Sequence, residues 1–206
     1  MKNKLIALTS MSKKDQRKQK NYQSFLDATK DIIMSEGYGA VTVRKVADIT
    51  GYTYPILYHY FKDLNELMWE TRSYMIREMT KTLPVKMHDV GRGVNGIKEI
   101  FKIYMEYYFD HPNVFKFFYF STFNRPEKEP IKKDDEPNFQ IMWQDLFGQL
   151  ISEGKLKESE FEVVVKTILY ALHGMITLCL SNNGELTQEN IYTDLDHIID
   201  YLLPSS

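Results

Sequence analysis

Cysteine is almost absent from this chain of 206 residues, which contains a single one, Cys179. One cysteine excludes a disulfide within the chain and a zinc site built on cysteines. Because Cys179 lies in an apolar helical stretch, we expect a small buried hydrophobe there in preference to a redox sensor. Long hydrophobic runs are also missing. The longest uncharged stretch, residues 167–184, has 18 residues, and its apolar part, residues 167–180, has 14, where a bilayer span needs about 20 apolar residues. The apolar run at residues 5–8 is too short for a secretory signal, so we expect a cytoplasmic protein with no membrane partner.

Net charge is also small, at −2, which by itself argues against a nucleic-acid partner. The distribution of the charges reverses that conclusion. Residues 1–62 hold 11 Lys and Arg against 5 Asp and Glu, whereas the rest of the chain holds 15 against 23. This asymmetry is typical of a protein whose N-terminal part faces phosphate and whose remainder is repelled by it.

Residues 42–61, TVRKVADITGYTYPILYHYF, predict two short helices joined by a tight turn. Thr42 can cap the first helix, because its hydroxyl can accept a hydrogen bond from a free backbone N–H. Gly51 can adopt the left-handed conformation that ends this helix. Thr53 can cap the second helix, and Pro55 lies in its first turn, where a missing N–H costs little. A short exposed helix braced across another helix can enter the major groove of DNA.

The same region resembles the N-terminal domain of TetR-type transcriptional regulators, over roughly residues 19–80. The resemblance rests on residues in a fixed order, namely Thr42, Val43, Val46, Ala47, Gly51, Thr53, Pro55, Leu57, Tyr58, Phe61, Glu66 and Leu67. It implies a three-helix DNA-binding domain that contains the helix-turn-helix, followed by a long helix that links it to a regulatory domain. The sequence departs from the family at Thr50, Tyr52, Tyr60 and Leu64.

Side chains on the outer face of the helix pair are the candidates for DNA contact. Arg44 can bond guanine O6 and N7 together, although a phosphate contact is the alternative, and Ile56 can pack on a thymine methyl. The hydroxyls of Tyr58 and Tyr60 suit phosphate oxygens, with core packing as the alternative for Tyr60. Residues 13–20 are expected to follow the adjacent backbone. The predicted DNA-binding residues are Thr42, Arg44, Lys45, Thr53, Tyr54, Ile56, Tyr58, His59, Tyr60 and Lys62.

The rest of the chain shows helical periodicity and no convincing strand alternation. Asp63 with Glu66 resembles a capping box that opens a long helix to residue 83. Prolines, glycines and polar clusters separate further helices near 94–110, 112–122, 138–153, 159–182 and 188–203. We therefore predict an all-α fold of about nine helices in three parts. These are a basic flexible tail (1–18), a helix-turn-helix DNA-binding domain (19–83), and an effector-binding and dimerisation domain (84–206).

The two C-terminal helices predict a dimer interface. The first of them is apolar over more than one face, so it must cover one face against something other than its own core. A single DNA-binding module buries little surface, and such proteins usually bind near-palindromic sites as two-fold dimers. The predicted interface, as in the TetR-type family, consists of Leu172, Ile176, Ile191, Leu195, Ile198 and Leu202.

Aromatic residues are concentrated in the middle of the chain, with five in the six positions 115–120. Each of them is ordinary core in the simplest interpretation. Together they suit an apolar cavity in which a few hydroxyls orient a ligand, and we predict an elongated or flat hydrophobic effector. The predicted pocket residues are Tyr104, Tyr108, Phe118, Phe123, Met142, Trp143, Phe147 and His173.

No metal site, catalytic residue, cofactor or Gly-rich phosphate loop is predicted, and an enzyme is not expected. The sequence predicts a homodimeric transcriptional regulator that binds a double-stranded DNA operator. Family precedent favours a repressor released from a near-palindromic operator by a small hydrophobic effector. Two alternatives remain. One is a helical small-molecule or lipid-binding protein, or a small enzyme, that uses the aromatic pocket. The other is an architectural DNA-binding protein without a ligand.

Overall fold

The computed structural model describes residues 12–86, 90–123, 139–181 and 186–203, apart from the side chains of 83–86 and 139–145. These residues form nine α-helices, one short 3-10 helix (Tyr38–Ala40) and no strand, so the all-α prediction is confirmed. The helices are α1 Lys13–Glu36, α2 Val43–Thr50, α3 Tyr54–Tyr58, α4 Leu64–Lys86, α5 Gly93–Asp110, α6 Pro112–Phe120, α7 Phe139–Ser152, α8 Glu158–Leu180 and α9 Gln188–Leu202.

Most helix ends coincide with the capping residues that the sequence predicts. The hydroxyl oxygen of Thr42 accepts a hydrogen bond from the backbone N–H of Lys45 at 3.1 Å. Gly51 has the left-handed conformation expected after α2, with φ 72° and ψ 13°. The Asp63 carboxylate accepts from the backbone N–H of Glu66 at 2.8 Å before α4. Helix boundaries therefore follow from local side-chain chemistry.

The first helix begins earlier than the sequence suggested. Ser12 caps it by accepting a hydrogen bond from the backbone N–H of Asp15 at 3.1 Å. Residues 13–18 are therefore helical, and their assignment to a flexible tail was wrong. The prediction missed this start because like charges fill the first turns and obscure the helical pattern. The predicted tail at residues 1–11 lies outside the described residues.

The chain divides into two compact units, and the division differs from the predicted boundary near residue 83. One unit comprises residues 12–76 and 113–123 of the described chain, and the other comprises 77–112, 139–181 and 186–203. Helix α4 contributes residues to both. Helix α6, which the sequence assigned to the effector-binding part, belongs to the first unit. The sequence could not place α6, because its aromatic residues would fit a core in either unit.

The core of the first unit is built around the inner face of α1. Phe25 and Ile33 are fully buried there, together with Val46 of α2 and Leu57 of α3. The buried hydroxyl of Thr29 donates to the carbonyl of Phe25 at 2.7 Å, so it is satisfied within its own helix. These contacts hold the helix pair firmly against α1.

The core of the second unit comes mainly from α5, α8 and α9, through Phe101, Leu172, Ile176 and other fully buried side chains. Helix α8 is long and apolar enough, by length and composition alone, to cross a membrane, and its most apolar window has a mean hydropathy of 1.8. Core helices of soluble proteins meet the same criteria. Only 28% of that window is buried within the subunit, so much of this apolar helix remains exposed.

Candidate nucleic-acid interface

The helix pair α2–α3 is held from one side only, which leaves its other side open. Val46, Ala47 and Leu57 point into the core and are at most 2% exposed. Helix α3 has only five residues, and it starts at Tyr54 with a proline in its first turn. Thr53 precedes it in an extended conformation, but its side chain makes no capping hydrogen bond, so that part of the prediction was wrong. Thr53 is exposed, and its hydroxyl makes no hydrogen bond to the start of the helix.

The open side of α3 carries three of the predicted DNA contacts. Tyr54 is 44% exposed and Tyr58 is 52% exposed, and His59 directly after the helix is exposed as well. Ile56 is half-buried, so only part of its side chain is accessible. The arrangement presents phenolic hydroxyls, an imidazole and an aliphatic edge from one short rigid helix. Such groups can bond phosphate oxygens and touch base edges.

The two basic residues of α2 differ in exposure and in how closely an acidic side chain holds them. The Arg44 side chain is 81% exposed and meets the Asp48 carboxylate at 3.9 Å, one turn along the helix. An exposed pair of this kind contributes little, about 0.3–0.5 kcal/mol, so Arg44 can leave it readily. Lys45 instead pairs with Glu36, and its side chain is only 34% exposed. Lys45 would have to leave this partner to reach a phosphate. The sequence did not reveal either acidic partner.

Tyrosines 52 and 60 attach the helix pair to α1. The Tyr60 ring is half-buried and lies 5.5 Å from the Phe25 ring, which is the core packing that the sequence left as an alternative. The Tyr52 hydroxyl donates to the side-chain oxygen of Asn21 at 2.7 Å, and its ring lies 5.3 Å from that of Phe25. Sequence reasoning missed this role of Tyr52. The only available signal was that an aromatic residue stands where the family often has a small aliphatic one.

Each unit has an open cavity among its described residues. One, of about 490 Å³, is lined by Asp15, Lys18, Gln19, Tyr22 and Tyr60 in the first unit. The other, of about 400 Å³, is lined in the second unit by parts of α7 and by residues 91–93 at the start of α5. This second cavity adjoins the segment GRGVNG at 91–96. Close packing explains one of its glycines, since a Cβ at Gly96 would lie 1.9 Å from the carbonyl oxygen of Gly91.

The predicted effector residues are divided between the two units. Tyr104, Tyr108 and His173 come together in the second unit, and the Tyr104 hydroxyl lies 3.0 Å from His173 Nε2 and 3.4 Å from the Tyr108 hydroxyl. Phe147 is buried in that unit, 5.8 Å from the Phe161 ring. Phe118 and Phe123 belong to the first unit and lie beside the Phe117 ring, and the side chains of Met142 and Trp143 are outside the described part.

Burial distinguishes the polar residues of this group from ordinary surface residues. Tyr104 is 3% exposed and Tyr108 is fully buried. Burial lowers the pKa of His173 below its usual value, because the charged imidazolium is poorly solvated there. The imidazole is therefore neutral at neutral pH, and its Nε2 can form one hydrogen bond with the Tyr104 hydroxyl. The Tyr108 hydroxyl also donates to the Met79 sulfur at 3.8 Å, which extends these contacts from α8 through α5 to α4.

Most of the predicted dimer-interface residues are buried within their own subunit. Leu172, Ile176, Ile191 and Leu195 have no exposed surface, because they form the contact of α8 and α9 with the rest of the unit's core. Their assignment to an intermolecular interface was therefore wrong. Ile198 and Leu202 are half-buried. The sequence shows that α8 is apolar on two faces, but it does not show which face turns inward.

The outer face of α8 and α9 is apolar as well, although sequence reasoning did not select its residues. Val163 is 66% exposed, Tyr170 70% and Leu178 51%, at the spacing of a single helix face. Tyr201 of α9 is 86% exposed. Gly174 lies on the same face of α8, where a Cβ would meet no atom within 4 Å. Large exposed apolar patches are typical of interaction surfaces.

Comparisons with known proteins agree with this architecture. Residues 25–70 match the family model described as bacterial regulatory proteins, tetR family, so the resemblance drawn from residues 42–67 is confirmed. Among solved structures, the chain is similar to a TetR family transcription regulator from Marinobacter aquaeolei VT8, at 21% identity and a TM-score of 0.63. That alignment covers 90% of this chain and 97% of the other. No curated protein matches the chain.

Two further structures share the fold. The transcriptional regulator FadR from Bacillus subtilis, solved in complex with stearoyl-CoA, has 13% identity and a TM-score of 0.63, over 89% of this chain and 98% of that one. The fatty acid degradation regulator FadR from Bacillus halodurans has 12% identity and a TM-score of 0.62, over 90% and 95%. Identities this low establish the common fold and leave the ligand open.

Proposed function

We propose that this chain, which has the fold of TetR-family transcription regulators, is a homodimeric repressor released from a near-palindromic operator by a small hydrophobic effector. The open side of α3 carries the proposal. Tyr54, Tyr58 and His59 are exposed there on a short helix that Leu57 holds against the core. No catalytic step or cofactor belongs to this function. A repressor of this kind acts in the cytoplasm, where its operator lies.

The roles in DNA binding follow from exposure and chemistry. Arg44 is the proposed base-reading residue, because its guanidinium is largely exposed and only weakly held by Asp48. Guanine offers two acceptors in the major groove that match this fork. Tyr54 and Thr53 approach base edges from the start of α3. Tyr58, His59 and Lys62 bind phosphate oxygens, with Thr42 at the start of α2, and Lys45 joins them once it leaves Glu36.

The dimer interface is proposed on the outer face of α8 and α9. Val163, Tyr170, Leu178 and Tyr201 supply its apolar surface, and Gly174 allows a partner helix to approach closely. The half-buried Ile198 and Leu202 would lie at its edge. Homodimerisation is the simplest way to cover this surface, because the same patch on a second copy is equally apolar and a two-fold axis pairs the patch with itself.

The effector is proposed to bind beside Tyr104 and His173 in the second unit. Their polar atoms lie 3.0 Å apart in an otherwise apolar core, which suits a ligand with a polar group on a hydrophobic body. The structural neighbours favour a long acyl chain, since one was solved with stearoyl-CoA and another is a fatty acid degradation regulator. Long-chain acyl-CoA is therefore the first effector class to test.

Release of DNA is proposed to act through α4, which contributes residues to both units. Tyr108 contacts Met79 of α4, and Tyr104 links Tyr108 to His173. A ligand that takes the hydrogen bond of Tyr104 would disturb this series of contacts and shift α4. Couplings between two sites are typically about 1–3 kcal/mol, which corresponds to 5–150-fold in operator affinity.

The test starts from an operator selected from a random duplex library with the purified protein. Operator affinity is then measured by fluorescence anisotropy with and without stearoyl-CoA, with Tyr104→Phe as the variant. We expect the ligand to weaken wild-type binding at least about 5-fold and to act less on Tyr104→Phe. Failure to select any sequence would contradict the regulator function. Selection of an operator that no acyl-CoA affects would contradict only the proposed effector class.

A further inference from the structure

We propose that the first two turns of α1, residues 13–20 (the basic segment), form a preformed docking surface for the phosphate backbone of double-stranded DNA. The inference rests on the proposed function, and it assigns the main electrostatic contact to a segment outside the helix-turn-helix. The basic segment contains five Lys and Arg among eight residues, namely Lys13, Lys14, Arg17, Lys18 and Lys20. All five are exposed.

Positive charge in the basic segment is not compensated by ion pairs. None of its five cations forms an ion pair with any residue of the described chain. Its one acid, Asp15, accepts a hydrogen bond from the Ser12 hydroxyl at 2.6 Å and donates its backbone N–H to the same hydroxyl oxygen. By contrast, Lys45 pairs with Glu36, Lys157 with Glu160, and several other lysines have acidic partners as well. The basic segment is therefore a local concentration of unpaired positive charge in a chain whose net charge is −2.

This arrangement opposes the stability of the helix that carries it. Lys13 and Arg17, like Lys14 and Lys18, are like charges one turn apart, a spacing that destabilises a helix. Cations in a first turn also oppose the helix dipole, which favours negative charge there. A helix start selected only for stability would carry acids at these positions. A polyanion that binds alongside the helix removes the repulsion and accounts for the charges.

A groove connects the basic segment with the helix-turn-helix. Lys18 and Gln19 line the cavity of about 490 Å³ together with Asp15, Tyr22 and Tyr60, and Tyr60 stands two residues after α3. The Tyr22 hydroxyl donates to Glu70 at 2.9 Å, so Tyr60 and Lys18 are the polar groups that can turn to a bound phosphate. A phosphate seated here would extend the row of contacts made by Tyr58 and Lys62.

The segment is helical before DNA binds, since Ser12 caps it and the helix continues to Glu36. Its charges are therefore positioned in advance and do not need to be ordered on binding. A cationic helix can lie along a regular row of phosphates. Because it would lie outside the grooves, its side chains would not reach base edges. The expected contribution is to affinity and its salt dependence, with little effect on sequence preference.

The test compares two variants of equal charge change in the full-length protein. One is Lys13→Gln/Lys14→Gln/Arg17→Gln/Lys18→Gln. The control replaces four exposed lysines of other helices and loops by Gln, at Lys81, Lys116, Lys155 and Lys157. Binding to a labelled duplex of random sequence, roughly 30 bp long, is titrated from about 50 to 200 mM salt, a range in which phosphate contacts dominate. Thermal unfolding of each variant is measured in parallel.

Removing one phosphate contact should reduce the slope of the logarithm of the DNA-binding constant against the logarithm of salt concentration by about 0.9. Removing four contacts should therefore reduce this slope by roughly 3.6 for each DNA-binding unit. Across this salt range, the DNA affinity of the wild-type protein should then fall on the order of 100-fold more than that of the variant. The variant should unfold at the same temperature as wild type or higher, because helix repulsion is removed. Weaker binding together with a lower unfolding temperature would contradict the proposal.

Tyr60→Phe tests the groove separately. It keeps the ring beside Phe25 and removes only the hydroxyl, so we expect binding to weaken about 3–10-fold with an unchanged salt slope. Equal slopes for the basic-segment variant, the control and wild type would overturn the inference while leaving DNA binding in place. A wild type that does not bind the duplex at all would overturn the proposed function as well.

Discussion

The two units expose different chemistry on their accessible faces. In the first unit, Arg44, Tyr54 and Tyr58 are exposed around α2 and α3, each with a hydrogen-bonding group at its tip, and Ile49 is the apolar residue exposed beside them. In the second unit, the exposed face of α8 carries no charge at Val163, Tyr170 or Leu178, and only Tyr170 has a hydrogen-bonding group. A polar face suits a hydrated, charged partner such as DNA. An apolar face suits a partner that excludes water, such as a second copy of the chain.

The units also differ in where their polar groups are buried. In the first unit, the fully buried hydroxyls of Thr29 and Thr71 donate to the carbonyls one turn back in their own helices. The second unit buries Tyr104, Tyr108 and His173 in contact with one another. A polar cluster inside a core is costly unless every group is satisfied. This cluster is the part of the second core where we propose that the effector binds.

The largest expected effect comes from placing charge on the apolar face. Tyr170→Asp puts two carboxylates into the proposed dimer interface, one from each copy. Burying unpaired charge costs about 3 kcal/mol or more, so the dissociation constant of the dimer should rise at least about 100-fold. Sedimentation velocity over a concentration series measures this. Asn95→Asp, on an exposed position of α5, is the matched control and should remain dimeric. Equal behaviour of the two variants would remove α8 from the interface.

A smaller effect is expected from the polar face. Arg44→Ala should weaken operator binding by about 1–3 kcal/mol and relax the preference at one base pair in each half-site. Competition between single-base-pair operator variants measures both quantities. Lys81→Ala, an exposed cation in the second unit, is the control. If Arg44→Ala weakens binding equally on all duplexes, Arg44 contacts phosphate and reads no base.

Two tyrosines of the helix pair separate support from contact. Tyr52→Phe leaves the side-chain oxygen of Asn21 without its 2.7 Å hydrogen bond, so the free energy of unfolding should fall by about 1–2 kcal/mol. Tyr58→Phe removes an exposed hydroxyl and should leave stability unchanged while weakening DNA binding. Urea unfolding and anisotropy titrations of both variants measure this. If Tyr52→Phe weakened only DNA binding and Tyr58→Phe lowered only stability, Tyr52 would be the DNA contact and Tyr58 the support.

The smallest effect is a dependence of stability on pH. Burial lowers the pKa of His173 in the folded protein, so the unfolded chain takes up this proton more readily, near pH ~6.5. Stability is therefore kept above about pH 6.5 and falls as pH decreases towards the lowered pKa, by at most about 1.4 kcal/mol per pH unit. Urea unfolding between about pH 5 and 8 measures this change, and His173→Gln should abolish it. His197, exposed on α9, provides the control variant His197→Gln, which should retain the full dependence.

The sequence predicted the helices and the DNA-binding motif well, because both depend on local chemistry. Gly51 can end a helix in the left-handed conformation wherever it stands, and Thr42 can cap one from its own side chain. The alternation of buried and exposed positions around Leu57 follows from helical spacing alone. Nine helices near the predicted boundaries within the described residues reflect the same local control.

The helix faces that form the dimer surface were predicted less well, because they depend on which face turns inward, and the pocket stays a prediction. Leu172 and Leu178 are equally apolar, and only the packing of α8 against its neighbours buries one and exposes the other. Phe118 matched the composition of a pocket, but it lies in the first unit. Ion pairs between helices, such as Lys45 with Glu36, link residues that no short-range pattern connects.

The central claim is that the polar face of α2 and α3 reads DNA as part of a dimer. Its most direct test is an analytical ultracentrifugation titration of the protein with a duplex selected from a random library, alongside a scrambled duplex. We expect two chains on each selected duplex and binding at least about 10³-fold tighter than to the scrambled sequence. Equal affinity for both duplexes, or one chain on each, would contradict it.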